Sequence, residues 1–235
     1  MIDLSSIVRR ISEWLASPRP QPVAPKLPGT EFHDRRRYAT QGHGEGGKWK
    51  VRGRTWQDVR GICLHQTACL LGERPERWDT VGAHIGITRG GRVMWLHGFN
   101  RVVCHGNGWN AQTVGIEIDG LYAGIQGDDS TVWDDPSTRT QERGMSITPE
   151  SVLAAREVIR WICSETAAAG GAINVLVAHR QSSKSRRNDP GSAIWQEVAL
   201  PMHAELGLKD GGYGFEIGGL PIPAAWDKSK TGIPY

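Results

Sequence analysis

Residues 148–179 constrain the fold more than any other stretch of the chain. "TPESVLAAREVIRWICSETAAAG" reads as a helix. Thr148 can cap it, Pro149 suits its first turn, and Gly170 ends it. Directly after it, "INVLVAH" is a short apolar run that finishes on His179. A strong helix delivering the chain into a buried strand requires a sheet for that strand to join. "RGICLHQTA" supplies a second buried strand with His65 near its end, and "TVGIEIDG" a third. In the third, Val114, Ile116 and Ile118 point one way, Glu117 and Asp119 the other. "HIGITRGGRVMWLHG" alternates around an Arg-Gly-Gly turn and reads as a hairpin. Together these predict an α/β domain, a mixed central sheet flanked by helices.

The remaining segments fill in around that sheet. "GERPERWDTVGAH" holds a short helical turn, and residues 125–146 are polar and unperiodic, an inserted loop. A second helix is expected around "SAIWQEVALPMHAEL", cut near Pro201. We place the compact domain at residues 55–208. Residues 1–54 form a leader: an amphipathic helix over 1–16, a Pro-rich stretch, then loop over 31–54. Residues 209–235 form a Gly- and Pro-rich tail that wraps the domain or hangs free.

At 235 residues the chain is long enough to bury an extensive core without disulfide staples. Cys63 and Cys163 sit in apolar runs as small hydrophobes, and Cys63 and Cys69 are close enough in sequence to bridge a short loop. The ten Trp residues hint at stacking of flat polar ligands such as sugars. The net charge of +3 is uneven, because residues 1–60 hold twelve Lys/Arg and six Asp/Glu. A basic leader favours contact with an anionic envelope surface, and a solvated leader is the alternative. No run approaches the ~20 apolar residues of a membrane span, and the N-terminus lacks the pattern of a cleaved signal. Synthesis in the cytoplasm is expected, with another factor needed if the protein acts beyond it.

Five of the eight histidines, His65, His84, His97, His105 and His179, lie in or near expected strands. Taken singly, each is best read as a hydrogen-bonded structural residue. His65 and His179 are harder to dismiss as a pair, since each ends an apolar strand. Asp189 follows His179 across a loop long enough to turn back. Two imidazoles and a carboxylate leave a fourth position open on zinc, as in catalytic sites. A plain surface loop is the competing reading.

At this point four motifs, in order over residues 56–200, resemble the zinc-dependent N-acetylmuramoyl-L-alanine amidases. This is the amidase-2 group, related to T7-type phage lysozyme and to peptidoglycan recognition proteins. The motifs are "ICLHQTA", "GAHIGITRGGRVMWL", "VCHGNGWNAQTVGIEIDG" and "VAHRQSSKSRRNDPG". The resemblance implies zinc on His65, His179 and Asp189, and Glu117 as the proton-transferring carboxylate. It implies an oxyanion partner at Arg187, where relatives often carry lysine, with Lys184 and Arg186 as alternatives in the same loop. His105, His84 and Trp109 fall at groove positions, as substrate contacts or, for His84, packing. Ala83 stands where some relatives have tyrosine, which leaves the acid–base work to Glu117. The implied activity is hydrolysis of the amide between N-acetylmuramic acid and L-alanine, by a monomeric phage endolysin acting on the cell wall. A catalytically inactive peptidoglycan-binding module and a cytoplasmic muropeptide-recycling amidase are the alternatives. A polymerase or nucleic-acid partner ranks last, because the core lacks aromatic-basic interleaving.

Overall fold

The computed structural model describes residues 30–40, 52–216 and 218–235. The expected helix over 1–16 lies outside the described residues. Eight strands form among the described residues: β1 (Phe32–Asp34), β2 (Arg52–Gly53), β3 (Gly61–Gln66), β4 (Ile85–Ile87), β5 (Val93–Trp95), β6 (Arg101–Val102), β7 (Thr113–Ile118) and β8 (Val175–Ala178). Six make one sheet in the order β1-β5-β4-β7-β3-β8, and β2 pairs with β6 apart from it. Strands β4, β7, β3 and β8 run parallel, while β5 returns antiparallel to β4 as the expected hairpin. The sheet is therefore mixed.

Alternation along the parallel strands sets its two faces. Ile62 and Leu64 of β3, Val114, Ile116 and Ile118 of β7, and Leu176 and Ala178 of β8 share one core. Helix α1 (Pro149–Ala168) covers it, adding Ala155, Val158, Ile159 and Ile162. The Thr148 hydroxyl caps α1 by accepting the Ser151 N–H at 3.2 Å. The opposite face holds a smaller core of Cys63, Val175 and Val177 under Trp109 and Phe215. Residues at odd positions on β3, β7 and β8 thus face away from α1, including His65 and Glu117. Continuing that period, His179 follows β8 on the same side.

Two local expectations need correction, and the open question of a Cys63–Cys69 bridge is answered. Residues 31–54 are not all loop: β1 extends the sheet by pairing with β5, and Phe32 packs edge-on against Trp95 and Trp161. Pro201 does not cut the last helix. The chain winds through Ser192–Ile194, a π-helical stretch Trp195–Ala199, and α2 (Leu200–Leu206). Pro201 has no N–H for the Glu197 carbonyl, and the Arg156 guanidinium takes that carbonyl instead, Nε at 2.9 Å. The cysteines are free thiols, so no Cys63–Cys69 bridge forms. The tail packs on the domain, with Ile222 and Trp226 buried.

Candidate metal centre

The C-terminal ends of β3, β7 and β8 converge on one spot, the usual place for a site in a sheet with parallel strands. The register sets His65 beside Glu117. His179 leaves β8 at the same level, and the loop after it returns Asp189. His65 Nδ1 and His179 Nδ1 lie 2.9 Å apart, His179 Nδ1 and Asp189 Oδ2 2.8 Å, and His65 Nδ1 and Asp189 Oδ2 3.8 Å. All three residues are buried. Asp189 is held by its main chain and its second oxygen. Its carbonyl accepts the Arg180 N–H at 2.9 Å, and its Oδ1 accepts the Gln66 N–H at 3.0 Å. Gly191, at φ +99°, makes the turn into the next helix in a region that L side chains rarely adopt.

Hydrogen bonding on the far sides of the rings decides what faces the centre. His105 Nε2 lies 3.3 Å from the Thr113 carbonyl, which can only accept, so His105 Nδ1 is left as an acceptor. It faces His65 Nε2 at 3.0 Å, which must therefore carry the proton. His179 Nε2 donates to Asn107 Oδ1 at 2.6 Å. Both Nδ1 atoms are then bare lone pairs, aimed at each other and at a carboxylate oxygen. Three acceptors packed this closely need a cation between them. Tetrahedral zinc with bonds of about 2.0–2.2 Å holds its ligands about 3.3 Å apart, which the three separations bracket. The donor set fits zinc with one position left for water or substrate.

Electrostatics agree. Burial, then the charge of His179, lowers His65 to about 4, so the ring is neutral at physiological pH as a ligand must be. Burial works to raise the Asp189 carboxyl, and positive charge at the His179 and His65 rings, from protons or from a cation in their place, outweighs it and holds it well below the usual carboxylate range. Burial, then the charge of Asp189, raises Glu117 well above the ordinary value, opposed by Arg186. Glu117 Oε2 is shielded from solvent and has no hydrogen-bond partner among the described residues.

Cys63, His65 and His105 form a second group whose ligand atoms also lie within 4.8 Å of one another. It suits a cation less well. Burial pushes the Cys63 thiol far up, which keeps it protonated, and the two imidazoles are already joined by a hydrogen bond.

A groove of about 490 Å³ opens over the centre, lined by Glu117, His179, Asp189, His105, Trp133 and Arg186 among others. Of the residues singled out from sequence, His105 reaches the groove but spends its ring on His65. His84 does not line it: the ring is fully buried, accepting the Gly115 N–H at 3.0 Å and donating to the Arg101 carbonyl at 2.9 Å. Trp109 is buried against Phe215, ring centroids 5.7 Å apart, and is not free to stack on a ligand. Arg187 turns away, its Nη2 donating to the Tyr235 carbonyl at 2.7 Å. Arg186 instead faces the groove, its guanidinium 5.4 Å from the Trp133 ring centre. Among the described residues, Trp133, from the inserted loop, is the tryptophan that lines the groove; Trp78, Trp95, Trp195 and Trp226 are core residues. Asn107 was not singled out from sequence. Its signal was the Asn-Gly pair, since Asn107 takes φ +52°, a conformation that asparagine tolerates.

With this geometry in view, the comparisons with known proteins identify the class. The model of the N-acetylmuramoyl-L-alanine amidase family, Amidase_2, matches residues 55–192, more than half of the chain. The chain belongs to that family. Among solved structures, Drosophila PGRP-LB matches at a TM-score of 0.51 and 15% identity, covering 78% of this chain and 99% of its own. Drosophila peptidoglycan recognition protein SD matches at 0.51 and 14%, covering 80% and 99%. The endolysin amidase LysCS from Clostridium intestinale matches at 0.49 and 15%, covering 79% and 100%. No curated protein matches the sequence. At these identities the recognition proteins attest the fold alone, a mixed sheet with flanking helices.

Proposed function

We propose that the protein is a zinc amidase that cleaves the bond between N-acetylmuramic acid and the L-alanine of the stem peptide. The observation that carries this is the convergence of ring nitrogens of His65 and His179 and a carboxylate oxygen of Asp189, all within 4.8 Å of one another, beneath an open groove. When bound, zinc supplies Lewis acidity, which polarises a carbonyl and makes water a competent nucleophile near neutral pH. The chain's own residues do the rest. Glu117 takes the proton from the attacking water and returns it to the departing amine, a task that suits a carboxyl with a raised pKa. Arg186 offers fixed positive charge to the oxygen that becomes anionic as the carbonyl turns tetrahedral. His105 and Asn107 hold the two ligand rings in the required tautomer.

We place its action on intact cell wall, as an endolysin, where the positive charge of residues 1–60 favours an anionic polymer. The test is to incubate purified protein with peptidoglycan, with and without chelator, and identify the released ends by mass spectrometry. New L-alanine amino termini that vanish with chelation are expected. Reducing sugar ends would contradict the reading, and tight binding without cleavage would make the protein a recognition module. Faster turnover of soluble muropeptides than of sacculi would favour recycling over lysis.

A further inference from the structure

Asp189 ends a loop that begins at His179 and contains only two short 3₁₀ turns, His179–Gln181 and Lys184–Arg186. Such a loop does not fix a side chain by itself. On the inner side Gln66 holds it, donating to the Asn188 carbonyl at 2.7 Å. On the outer side Gln181 Nε2 donates to the Asp210 carbonyl at 2.7 Å and Arg186 lies over Trp133, and the ties nearest Asp189 come from residues 219–235. The Gly219 N–H donates to the Gln181 carbonyl at 2.9 Å and the Leu220 N–H to the Arg180 carbonyl at 2.8 Å. Trp226, fully buried, donates its indole N–H to the Gly124 carbonyl.

Arg180 lies fully buried between the tail and the loop, and no carboxylate pairs with it among the described residues. Aromatic faces stand in for a counter-ion: the guanidinium lies 4.7 Å from the Trp226 ring centre and 5.0 Å from that of Tyr235. Its Nη1 donates to the Arg187 carbonyl at 2.8 Å. Tyr235 gathers the rest. Its main-chain oxygen accepts from Arg187 Nη2 at 2.7 Å, its ring lies 4.5 Å from the Arg187 guanidinium, and its hydroxyl donates to Asn188 Oδ1. Arg187 and Asn188 are the two residues immediately before Asp189. A ring shared by two cations and tied at both ends to these positions limits how far the Asp189 carboxylate can drift.

We propose that residues 219–235 form a strap that positions Asp189 for the metal, with Tyr235 as the positioning residue that closes it. This rests on the reading of Asp189 as a ligand. It also gives Arg187 a role, as an anchor of the ligand loop and not as a partner of the oxyanion. Metal affinity gains because the carboxylate is held near its bound position before the ion arrives.

The test uses the full chain with Tyr235→Ala and Tyr235→Phe. Zinc affinity is measured by chelator competition, and amide hydrogen exchange is followed with and without metal. Tyr235→Ala is expected to weaken zinc about tenfold, the lower end for loss of an outer-shell support. It should also speed exchange at Arg180 and Asp189 in metal-free protein while leaving β3 and α1 protected. Tyr235→Phe keeps the ring and the main-chain oxygen, so it should restore most of the protection, and it serves if the alanine variant fails to fold. Exchange of the loop and zinc affinity both unchanged in Tyr235→Ala would overturn the strap. A wild-type chain that binds no zinc would instead overturn the ligand assignment, and loop exchange in metal-free protein would still decide the strap.

Discussion

Replacing Asn107 tests whether the ligand rings are oriented from outside the centre. Asn107 Oδ1 accepts the His179 Nε2–H at 2.6 Å and so keeps Nδ1 free for metal. Asn107 also sits at φ +52°, where a Cβ-bearing residue without a local polar side chain costs about 1–2 kcal/mol. Two substitutions separate these effects. Asn107→Gly removes the acceptor and tolerates the backbone; Asn107→Ala removes the acceptor and adds the strain. Loss of an outer-shell partner costs about 10–100-fold in metal affinity. Asn107 is exposed, so water can replace part of what is lost, and the lower end applies: about tenfold, or about 1.4 kcal/mol, for both variants. Only the alanine variant should also lose about 1–2 kcal/mol of metal-free stability, a fall of several degrees in Tm. Chelator competition reads the first effect and thermal unfolding of the metal-free chain the second. Wild-type zinc affinity in Asn107→Gly would refute the tautomer argument.

Glu117→Gln should keep zinc and lose about 10²–10⁴-fold in turnover, read by zinc content and peptidoglycan hydrolysis on the same sample. Arg186→Ala should lower turnover of zinc-loaded protein about 10²-fold, with partial recovery in Arg186→Lys; an unchanged rate would remove Arg186 from the oxyanion role. Gly115→Ala should weaken zinc and destabilise the fold by about 1–3 kcal/mol. A Cβ there would lie 2.5 Å from His105 Nδ1, forcing away the ring that fixes His65. Burial, then the charge of Arg54, holds the His84 ring neutral and well below its usual pKa. The unfolded chain therefore binds the extra proton, and stability falls as pH drops below about 6.5 towards the folded pKa. The slope from His84 alone is about 1.4 kcal/mol per pH unit, checked by denaturant titrations across that range.

The parts of the fold that local pattern decides were legible in the sequence. Thr148, Pro149 and Gly170 bound α1, the Arg-Gly-Gly turn marks the hairpin, and period-2 alternation separates Ile116 from Glu117. What depends on distant chain was not. β1 is three residues long and forms because β5 offers it a parallel edge, supported by Arg35 on Asp79 and Arg92 on Glu31. Trp109 looks like an exposed loop aromatic until Phe215, far along the chain, covers it. Arg186 and Arg187 are adjacent, so spacing from Asp189 could not say which faces the groove. The short turn at Lys184–Arg186 and the pull of Tyr235 on Arg187 decide it. His65 and His179 stood out in the sequence because each lies at the end of an apolar run, and the resemblance to the amidase motifs joined Asp189 to them as a set. Their convergence through Nδ1 atoms depends on His105 and Asn107, which sequence alone did not connect to them.

X-ray absorption on protein loaded with one zinc per chain tests the central claim most directly. The account predicts a first shell of nitrogen and oxygen at about 2.0–2.2 Å, from two imidazoles, a carboxylate and water. A sulfur scatterer at about 2.3 Å would place the metal at Cys63, His65 and His105 instead and contradict it.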